Sequence, residues 1–386
     1  MPPGNNPAQA SEPGDAILAG QGVSPSALSP DASLTADDGL IATSASGLSY
    51  PWGEDAPAIG ETIRIANGVS WARIPLPGAL GHINSWLLDD DDGGVAIVDT
   101  GLRLAPCRDA WEALFAGALA DTAITRIVCT HMHPDHIGLA GWLVKRFGVL
   151  LYMTRGEWLT ARLMTSDVRD DPPDEVTAMQ RAAGWDDAAI ETARAQGWGR
   201  LRHVVFNLPY GYRRLVEGQL LDFGANQWRV VIGSGHSPEH ACLLNEAEGV
   251  LIAGDQLLPK ISSNVSLSSG EPDANPLGEW LASIAKLMQL PADLLVCPAH
   301  GEPFRGLHAR LQSLHNEHHE RLDAVAKALN EPHRAVDCFP LLFKRTIGAE
   351  HRGLATGETL AHLRYLEVAG RVTRETRDNV WWWQAC

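Results

Sequence analysis

One short loop carries an unusual density of groups that could bind a metal. Three histidines and one aspartate stand within six positions: His131, His133, Asp135 and His136. Imidazole and carboxylate are ligands that borderline divalent cations prefer, and this many on one loop would be costly to desolvate without a cation between them. Taken singly, each has an ordinary role, since lone histidines are usually surface or hydrogen-bonded groups and Asp135 could cap a helix. The joint pattern predicts a metal site.

Further groups of the same kinds follow later apolar runs. The runs 228–232, 250–253 and 294–297 are followed, in that order, by Gly235-His236-Ser237, Gly254-Asp255 and Pro298-Ala299-His300-Gly301. Each run is typical of a buried strand, as is the run 126–129 before the His131 loop. The sequence therefore predicts that one edge of a sheet collects all the candidate ligands.

The elements around these motifs alternate between strands and helices. Strand patterns occupy 63–65, 70–74, 83–88 and 95–98, and the last of them ends at Asp99. A helix follows with Trp111, Leu114 and Phe115 on one face. Between positions 156 and 214 the pattern changes to short amphipathic segments ended by glycine, which predicts an inserted helical lid. The fold class expected is α/β.

Length and composition set the domain organisation. The chain has 386 residues with 45% hydrophobic content, enough for one large catalytic domain and a small appendage. Residues 1–50 are rich in Ala, Ser, Pro, Gly and Asp and predict a disordered tail. The catalytic domain is expected at 51–305 and a C-terminal module at 306–386.

Net charge and hydropathy limit the kinds of partner and the cellular location that we expect. A formal net charge of −16 disfavours nucleic acid, because its binders usually present a basic surface. No run approaches the ~20 apolar residues of a membrane helix, and the N-terminus lacks the features of a secretion signal. We therefore expect a cytoplasmic protein without a membrane partner. The six cysteines are scattered, which suggests reduced, mostly buried thiols.

Four motifs together carry a family resemblance. The H-x-H-x-D-H loop, Gly-His-Ser, Gly-Asp and Pro-Ala-His-Gly, in this order, resemble the metallo-β-lactamase superfamily of hydrolases over about residues 60 to 305. Four separated motifs are far more specific than any one of them. The resemblance implies a four-layer αββα sandwich with its metal site at one edge of the two sheets.

The resemblance also implies a role for each matching residue. A first metal would be held by His131, His133 and His236, and a second by Asp135, His136 and His300. Asp255 would bridge them, while Asp99 would support a ligand without binding metal. His240 could play a similar supporting part or be a hydrogen-bonded turn residue. Two cations can lower the pKa of a shared water and supply hydroxide, with Asp135 as proton acceptor or donor.

Position 255 narrows the expected reaction. The best-known zinc β-lactamases carry cysteine there, whereas aspartate resembles the glyoxalase II, lactonase and RNA-processing branches. We expect a dinuclear hydrolase acting on an ester, thioester or lactone of a small organic acid, with two zinc ions per chain, although iron or manganese also suit these ligands. One alternative is a persulfide dioxygenase with a single iron on His131, His236 and Asp255. Another is a nucleic-acid processing hydrolase, which the acidic charge disfavours.

Residues that contact the substrate are harder to infer. The loop after Asp255 offers three candidates, Lys260, Ser263 and Asn264. The end of the helical insertion offers Tyr210 and Tyr212, and the loop before residue 83 offers His82. Turn chemistry or simple packing would also explain each of them.

The C-terminal region shows a second resemblance, to superfamily hydrolases that end in a small winged-helix module. Positions 358–369 predict a helix, and 371–376 with 380–383 predict a β-hairpin turning at Asp378-Asn379. Three consecutive tryptophans, 381–383, favour packing on the main domain or on a neighbouring subunit of a homodimer. This winged-helix-like module lacks the basic charge that nucleic-acid binding would require, so we do not expect it to bind nucleic acid.

Overall fold

A computed structural model describes residues 47–53 and 55–386. Most of the predicted tail therefore lies outside the described residues. At its end, Ser49 exchanges backbone hydrogen bonds with Arg305 (3.1 and 2.9 Å), and Tyr50 packs on Phe304 with ring centroids 6.5 Å apart. Residues 49 and 50 are thus attached to the body of the fold, although composition assigned them to the tail.

Two large sheets form the centre of the molecule. The seven-stranded sheet runs in chain order through Ile63–Ala66 (β1), Val69–Pro75 (β2), His82–Asp89 (β3), Val95–Val98 (β4), Ile124–Val128 (β5), Leu150–Met153 (β6) and Arg213–Arg214 (β7). The five-stranded sheet has the order β12-β11-β10-β9-β8, from Leu220–Phe223 (β8), Asn226–Gly233 (β9), His240–Asn245 (β10), Val250–Gly254 (β11) and Leu295–Pro298 (β12). Strands β4 and β5 pair in parallel, as do β11 and β12, so each pair ends at a common edge.

Helices cover both outer faces. They are Ala105–Ala116 (α1), Pro134–Ile137 (α2), Ala140–Phe147 (α3), Arg155–Ser166 (α4), Asp174–Ala182 (α5), Asp187–Arg194 (α6), Pro276–Leu287 (α7), Leu307–Ala328 (α8), Phe339–Leu342 (α9) and Arg352–Val368 (α10). Among the described residues, none of these helices is long and apolar enough to cross a membrane.

Three buried clusters define the layers. One cluster lies between the sheets, with Trp71 and Trp86 of the first sheet and Trp228 of the second. Another packs α1 and α3 on the outer face of the first sheet, through Trp111 among others. The third packs α7, α8 and α10 on the outer face of the second sheet, through residues such as Trp280. Burial of apolar surface on both faces of both sheets confirms the predicted αββα sandwich.

The helical insertion lies between β6 and β7, which pair with each other. The short amphipathic segments predicted between 156 and 214 include α5 and α6. Strands β6, β7 and β8 were not predicted, because they are only two to four residues long. In addition, β6 and β8 carry the exposed apolar residues Leu150 and Leu220, and β7 consists of two arginines. The insertion also contacts the C-terminal region, where the indole N–H of Trp185 donates to Thr356 Oγ1 (2.9 Å).

The C-terminal region consists of helices and a two-stranded sheet, Val372–Arg377 (β13) and Val380–Ala385 (β14). Asp378 and Asn379 both have positive φ (51° and 63°), as a two-residue hairpin turn of type I′ requires. Trp383 is 1% exposed within the core cluster of the second sheet. The hairpin is therefore packed onto the rest of the protein by this tryptophan.

Helix α10 starts at position 352, six residues earlier than the sequence pattern predicts. Glycine inside a helix is unfavourable, so Gly353 and Gly357 weaken the helical pattern of the sequence over the first residues of α10. Gly357 is needed for close packing, since a Cβ there would lie 2.7 Å from Ser266 Oγ. Tertiary contacts therefore compensate for the poor local propensity.

Candidate metal centre

The ends of four strands deliver all the predicted ligand residues to one edge of the sandwich. The loop after β5 carries His131 and His133, and α2 directly follows it. Helix α2 carries Asp135 and His136, and the segments after β9, β11 and β12 carry His236, Asp255 and His300. Seven side chains converge there: His131, His133, Asp135, His136, His236, Asp255 and His300. All except the partly exposed His133 are buried.

Four of these side chains form what we call the His131 group. His131 Nε2 lies 2.8 Å from His133 Nδ1 and 3.2 Å from His236 Nε2, and the latter two atoms are 3.0 Å apart. Asp255 Oδ2 is 3.5 Å from His236 Nε2 and 3.9 Å from His131 Nε2. Three ring nitrogens and a carboxylate oxygen thus face a common point.

The other three side chains form the His136 group. Asp135 Oδ2 lies 3.6 Å from His136 Nε2 and 3.2 Å from His300 Nε2. Asp255 approaches this group as well, with Oδ2 3.5 Å from His136 Nε2 and Oδ1 3.5 Å from His300 Nε2. Asp255 therefore lies between the two groups.

The donor atoms fit divalent cations. Both carboxylate oxygens of Asp135, Oδ1 of Asp255 and the Nε2 atoms of His136 and His300 are buried without a hydrogen-bond partner. Such atoms are costly unless something else satisfies them. Tetrahedral ligands at about 2.0–2.1 Å from zinc lie about 3.3 Å apart, close to the nitrogen separations in the His131 group.

Hydrogen bonds on the far side of three rings fix their orientation. The Nδ1–H groups of His136, His236 and His300 donate to Asp99 Oδ2 (2.8 Å), the Asn264 carbonyl (2.7 Å) and the His82 carbonyl (2.9 Å). These acceptors carry no proton, so the network assigns the ring proton to Nδ1 and leaves Nε2 free to bind a metal.

Asp99 lies behind His136 and outside both groups. Its Oδ1 accepts from the Thr130 N–H and its Oδ2 from Thr130 Oγ1, both at 2.8 Å. The backbone at Asp99 has a positive φ of 62°, which aspartate tolerates better than most residues. Asp99 thus ties the end of β4 to the ligand loop after β5.

His240 also lies directly behind the site. Its Nε2 accepts from the Asp255 N–H (3.1 Å), and its ring stacks on His131 with centroids 4.8 Å apart. A Cβ at Gly254 would lie 2.6 Å from this ring, and Gly254 has a positive φ of 53°. Glycine at this position therefore allows His240 to support Asp255.

The pKa values divide the imidazoles into two kinds. Burial, with neighbouring histidines, holds the pKa of His131 well below its usual value. Burial also opposes the charged form of His136, but Asp135, Asp99 and Asp255 outweigh it and hold its pKa well above the usual value. Without metal, the carboxylates therefore favour a second proton on His136, at Nε2, whose place a bound cation would take.

The candidate substrate residues after Asp255 have other partners. Lys260 Nζ forms an ion pair with Glu302 Oε2 (2.8 Å). Ser263 Oγ donates to the Asp255 carbonyl, and Asn264 holds His236 through its own carbonyl. Ser263 and Asn264 thus lie behind the site, where their hydrogen bonds hold Asp255 and His236 in position.

The other three candidates are in different surroundings. Tyr210 is 87% exposed, whereas the Tyr212 ring stacks on Trp158 of α4 with centroids 4.5 Å apart. The His82 side chain has a pKa lowered to about 3 by burial and by nearby Arg73. Its carbonyl, rather than its ring, is the atom that orients His300.

Sequence reasoning missed Glu157 of α4. Its buried carboxylate accepts hydrogen bonds from the Met132 N–H (2.9 Å), Ser237 Oγ (2.7 Å) and the Glu239 N–H (2.7 Å). Glu157 therefore joins the ligand loop after β5 to the loop that carries His236. The local pattern Thr-x-x-Glu is typical of a capping box and conceals this longer-range contact.

We expect Glu157→Gln to weaken metal binding by about 10–100-fold, as loss of such supporting bonds usually does. The glutamine amide can accept hydrogen bonds through one oxygen only. Its NH2 group would face donors whose hydrogen bonds the second carboxylate oxygen of Glu157 now accepts. Competition with a chelating dye measures the affinity. Glu112→Gln, which changes an exposed ion pair with Arg146, is the control. Equal affinities for the two variants would contradict the supporting role.

Comparison with known families agrees with this fold. Residues 78–300 match the family described as the metallo-β-lactamase superfamily, and residues 322–386 match the metallo-β-lactamase-like C-terminal domain. The chain therefore belongs to the metallo-β-lactamase superfamily.

Individual relatives cover different shares of the chain. A β-lactamase domain protein from Burkholderia ambifaria is similar in structure, with a TM-score of 0.77, 39% identity and coverage of 88% of this chain and 99% of that one. A hydroxyacylglutathione hydrolase from Stenotrophomonas maltophilia is 31% identical over 56% of this chain and 59% of its own. An atrochrysone carboxyl ACP thioesterase from Aspergillus terreus is 24% identical over 56% of this chain and 48% of its own.

Proposed function

We propose that the protein is a hydrolase with two divalent cations, zinc in the first instance, that cleaves an ester, thioester or lactone of a small organic acid. The observation that carries the proposal is the position of Asp255 between the two ligand groups. When bound, the cations would lower the pKa of water toward neutrality and polarise the substrate carbonyl.

The side chains of the site have distinct parts in this reaction. A neutral ring such as that of His131 leaves its Nε2 lone pair for coordination. Asp135 has two buried oxygens without hydrogen-bond partners, beside His300. Such a carboxylate can accept a proton from the attacking water and return it to the leaving group, so we assign that transfer to Asp135.

The names of two relatives support an acyl substrate. One is a hydroxyacylglutathione hydrolase and the other a carboxyl ACP thioesterase. Both act on acyl groups by their names, and a thioester is accordingly the first substrate to test. The acidic charge of −16 favours such a small molecule over nucleic acid.

A second candidate is an iron-dependent persulfide dioxygenase. His131, His236 and Asp255 alone resemble the two-histidine, one-carboxylate set of non-haem iron oxygenases. Their approach within 3.2–3.9 Å is compatible with one ion. A single ion there would leave the Asp135 oxygens unpartnered, which favours the hydrolase.

Metal analysis and activity assays on the purified protein test the proposal together. We expect two metal ions per chain and hydrolysis of members of a thioester and lactone panel, both lost after chelation and restored by zinc. One iron per chain with oxygen consumption on a persulfide would overturn it in favour of the dioxygenase. Nuclease activity at low salt, with no acyl hydrolysis, would also overturn it.

A further inference from the structure

The segment 262–267 runs between the metal centre and the C-terminal domain. On the metal side, the Asn264 carbonyl accepts the Nδ1–H of His236 (2.7 Å), and Ser263 Oγ donates to the Asp255 carbonyl. Two residues of the site are therefore held from behind by one stretch of chain.

Helix α10 holds the same segment from the opposite side. The Asn264 side chain donates through Nδ2 to Glu358 Oε2 (3.2 Å), and the Leu267 N–H donates to the Gly357 carbonyl (2.9 Å). Ser266 Oγ donates to Asn264 Oδ1 (2.5 Å), so both ends of the Asn264 amide are fixed. The position of the Asn264 carbonyl thus depends on α10.

We infer that Glu358 is a positioning residue for His236, acting through Asn264, and that the C-terminal domain is a structural part of the metal centre. The inference rests on the proposed function only in taking His236 as a metal ligand. It assigns this domain a task that does not involve nucleic acid.

The surroundings of Glu358 explain why a costly acid stands there. Burial raises the pKa of its carboxyl to about 7, against the opposing effect of Arg321. Arg321 Nη1 is 3.9 Å from Glu358 Oε1, beyond hydrogen-bond distance. Among residues 47–53 and 55–386, the Asn264 side chain makes a hydrogen bond to the Glu358 carboxyl. A buried acid is a poor choice for packing alone, so an orienting role accounts for it better.

Two substitutions at position 358 separate orientation from packing. Glu358→Leu keeps the volume and removes the acceptor, whereas Glu358→Gln keeps an oxygen for the Asn264 amide. We expect the leucine variant to bind zinc about 10–100-fold more weakly and the glutamine variant to bind nearly as the wild type. Affinity is measured on the full chain by chelator competition and by the absorption of bound cobalt, well below the melting temperature of each variant.

Glu367→Leu is the matched control, since this carboxylate lies on the same helix and pairs with Arg364, away from Asn264. Asn264→Ala should lower zinc affinity as Glu358→Leu does, and the double variant should lose little more. The inference is overturned if Glu358→Leu binds zinc as the wild type does, or if Glu358→Gln binds it as weakly as Glu358→Leu. It is also overturned if Glu367→Leu loses as much zinc affinity as Glu358→Leu, or if the losses from Glu358→Leu and Asn264→Ala add in the double variant. If the wild type binds zinc but hydrolyses nothing, the proposed function alone fails.

Discussion

Replacing Asp255 by alanine is expected to remove metal from both ligand groups and to lower hydrolysis by more than about 100-fold. The loss should exceed the 10–100-fold cost of removing a residue that merely supports a ligand. The reason is geometric, because Asp255 approaches His236 in one group and His300 in the other, each at 3.5 Å. Elemental analysis and thioester hydrolysis on the same preparation measure the two effects.

Asp135→Ala is the informative comparison for that experiment. Asp135 contacts only the His136 group, at 3.6 Å from His136 and 3.2 Å from His300. We expect this variant to retain about one metal ion per chain, held by the His131 group. Full metal and full activity in Asp255→Ala would refute the bridging position. An undiminished single iron in Asp135→Ala would instead favour the dioxygenase.

Much of this site could be predicted because its chemistry is local in the sequence. His131, Asp135 and His136 share one loop, and His236, Asp255 and His300 each follow an apolar strand. A strand that ends at the sheet edge fixes where the next residues go, so type and spacing were enough to bring these side chains together. The α/β class followed from the alternation of strands and helices, and the four-layer αββα arrangement was what the resemblance to the metallo-β-lactamase superfamily implied.

The supporting residues could not be predicted in the same way. Glu157 acts on groups 25 to 82 positions away, and Glu358 acts on Asn264 from 94 positions away. Their local patterns suggest only that each stands at the start of a helix. Such contacts depend on how helices pack, which no periodicity encodes. The same holds for Lys260, whose partner Glu302 lies beyond β12.

Asp99→Asn is expected to remove the metal of the His136 group while leaving the fold intact. Asparagine tolerates the positive φ at this position and can still accept from the Thr130 N–H. Its amide NH2, however, would face His136 Nδ1 and donate to it. The ring proton would then move to Nε2, the atom that must be free to bind a cation.

The outcome should be loss of about one metal ion per chain and a fall in hydrolysis of at least about 10–100-fold, with little change in melting temperature. Nitrogen-15 NMR of the imidazoles in the metal-free protein, at a pH at which His136 is neutral, reports which ring nitrogen carries the proton. Asp90→Asn is the control, because this buried carboxylate pairs with Arg126 through two 2.7 Å hydrogen bonds and contacts no candidate ligand. It should cost stability and leave metal affinity unchanged. If Asp99→Asn binds two metals with the proton still on Nδ1, the ring proton of His136 is set by something other than Asp99.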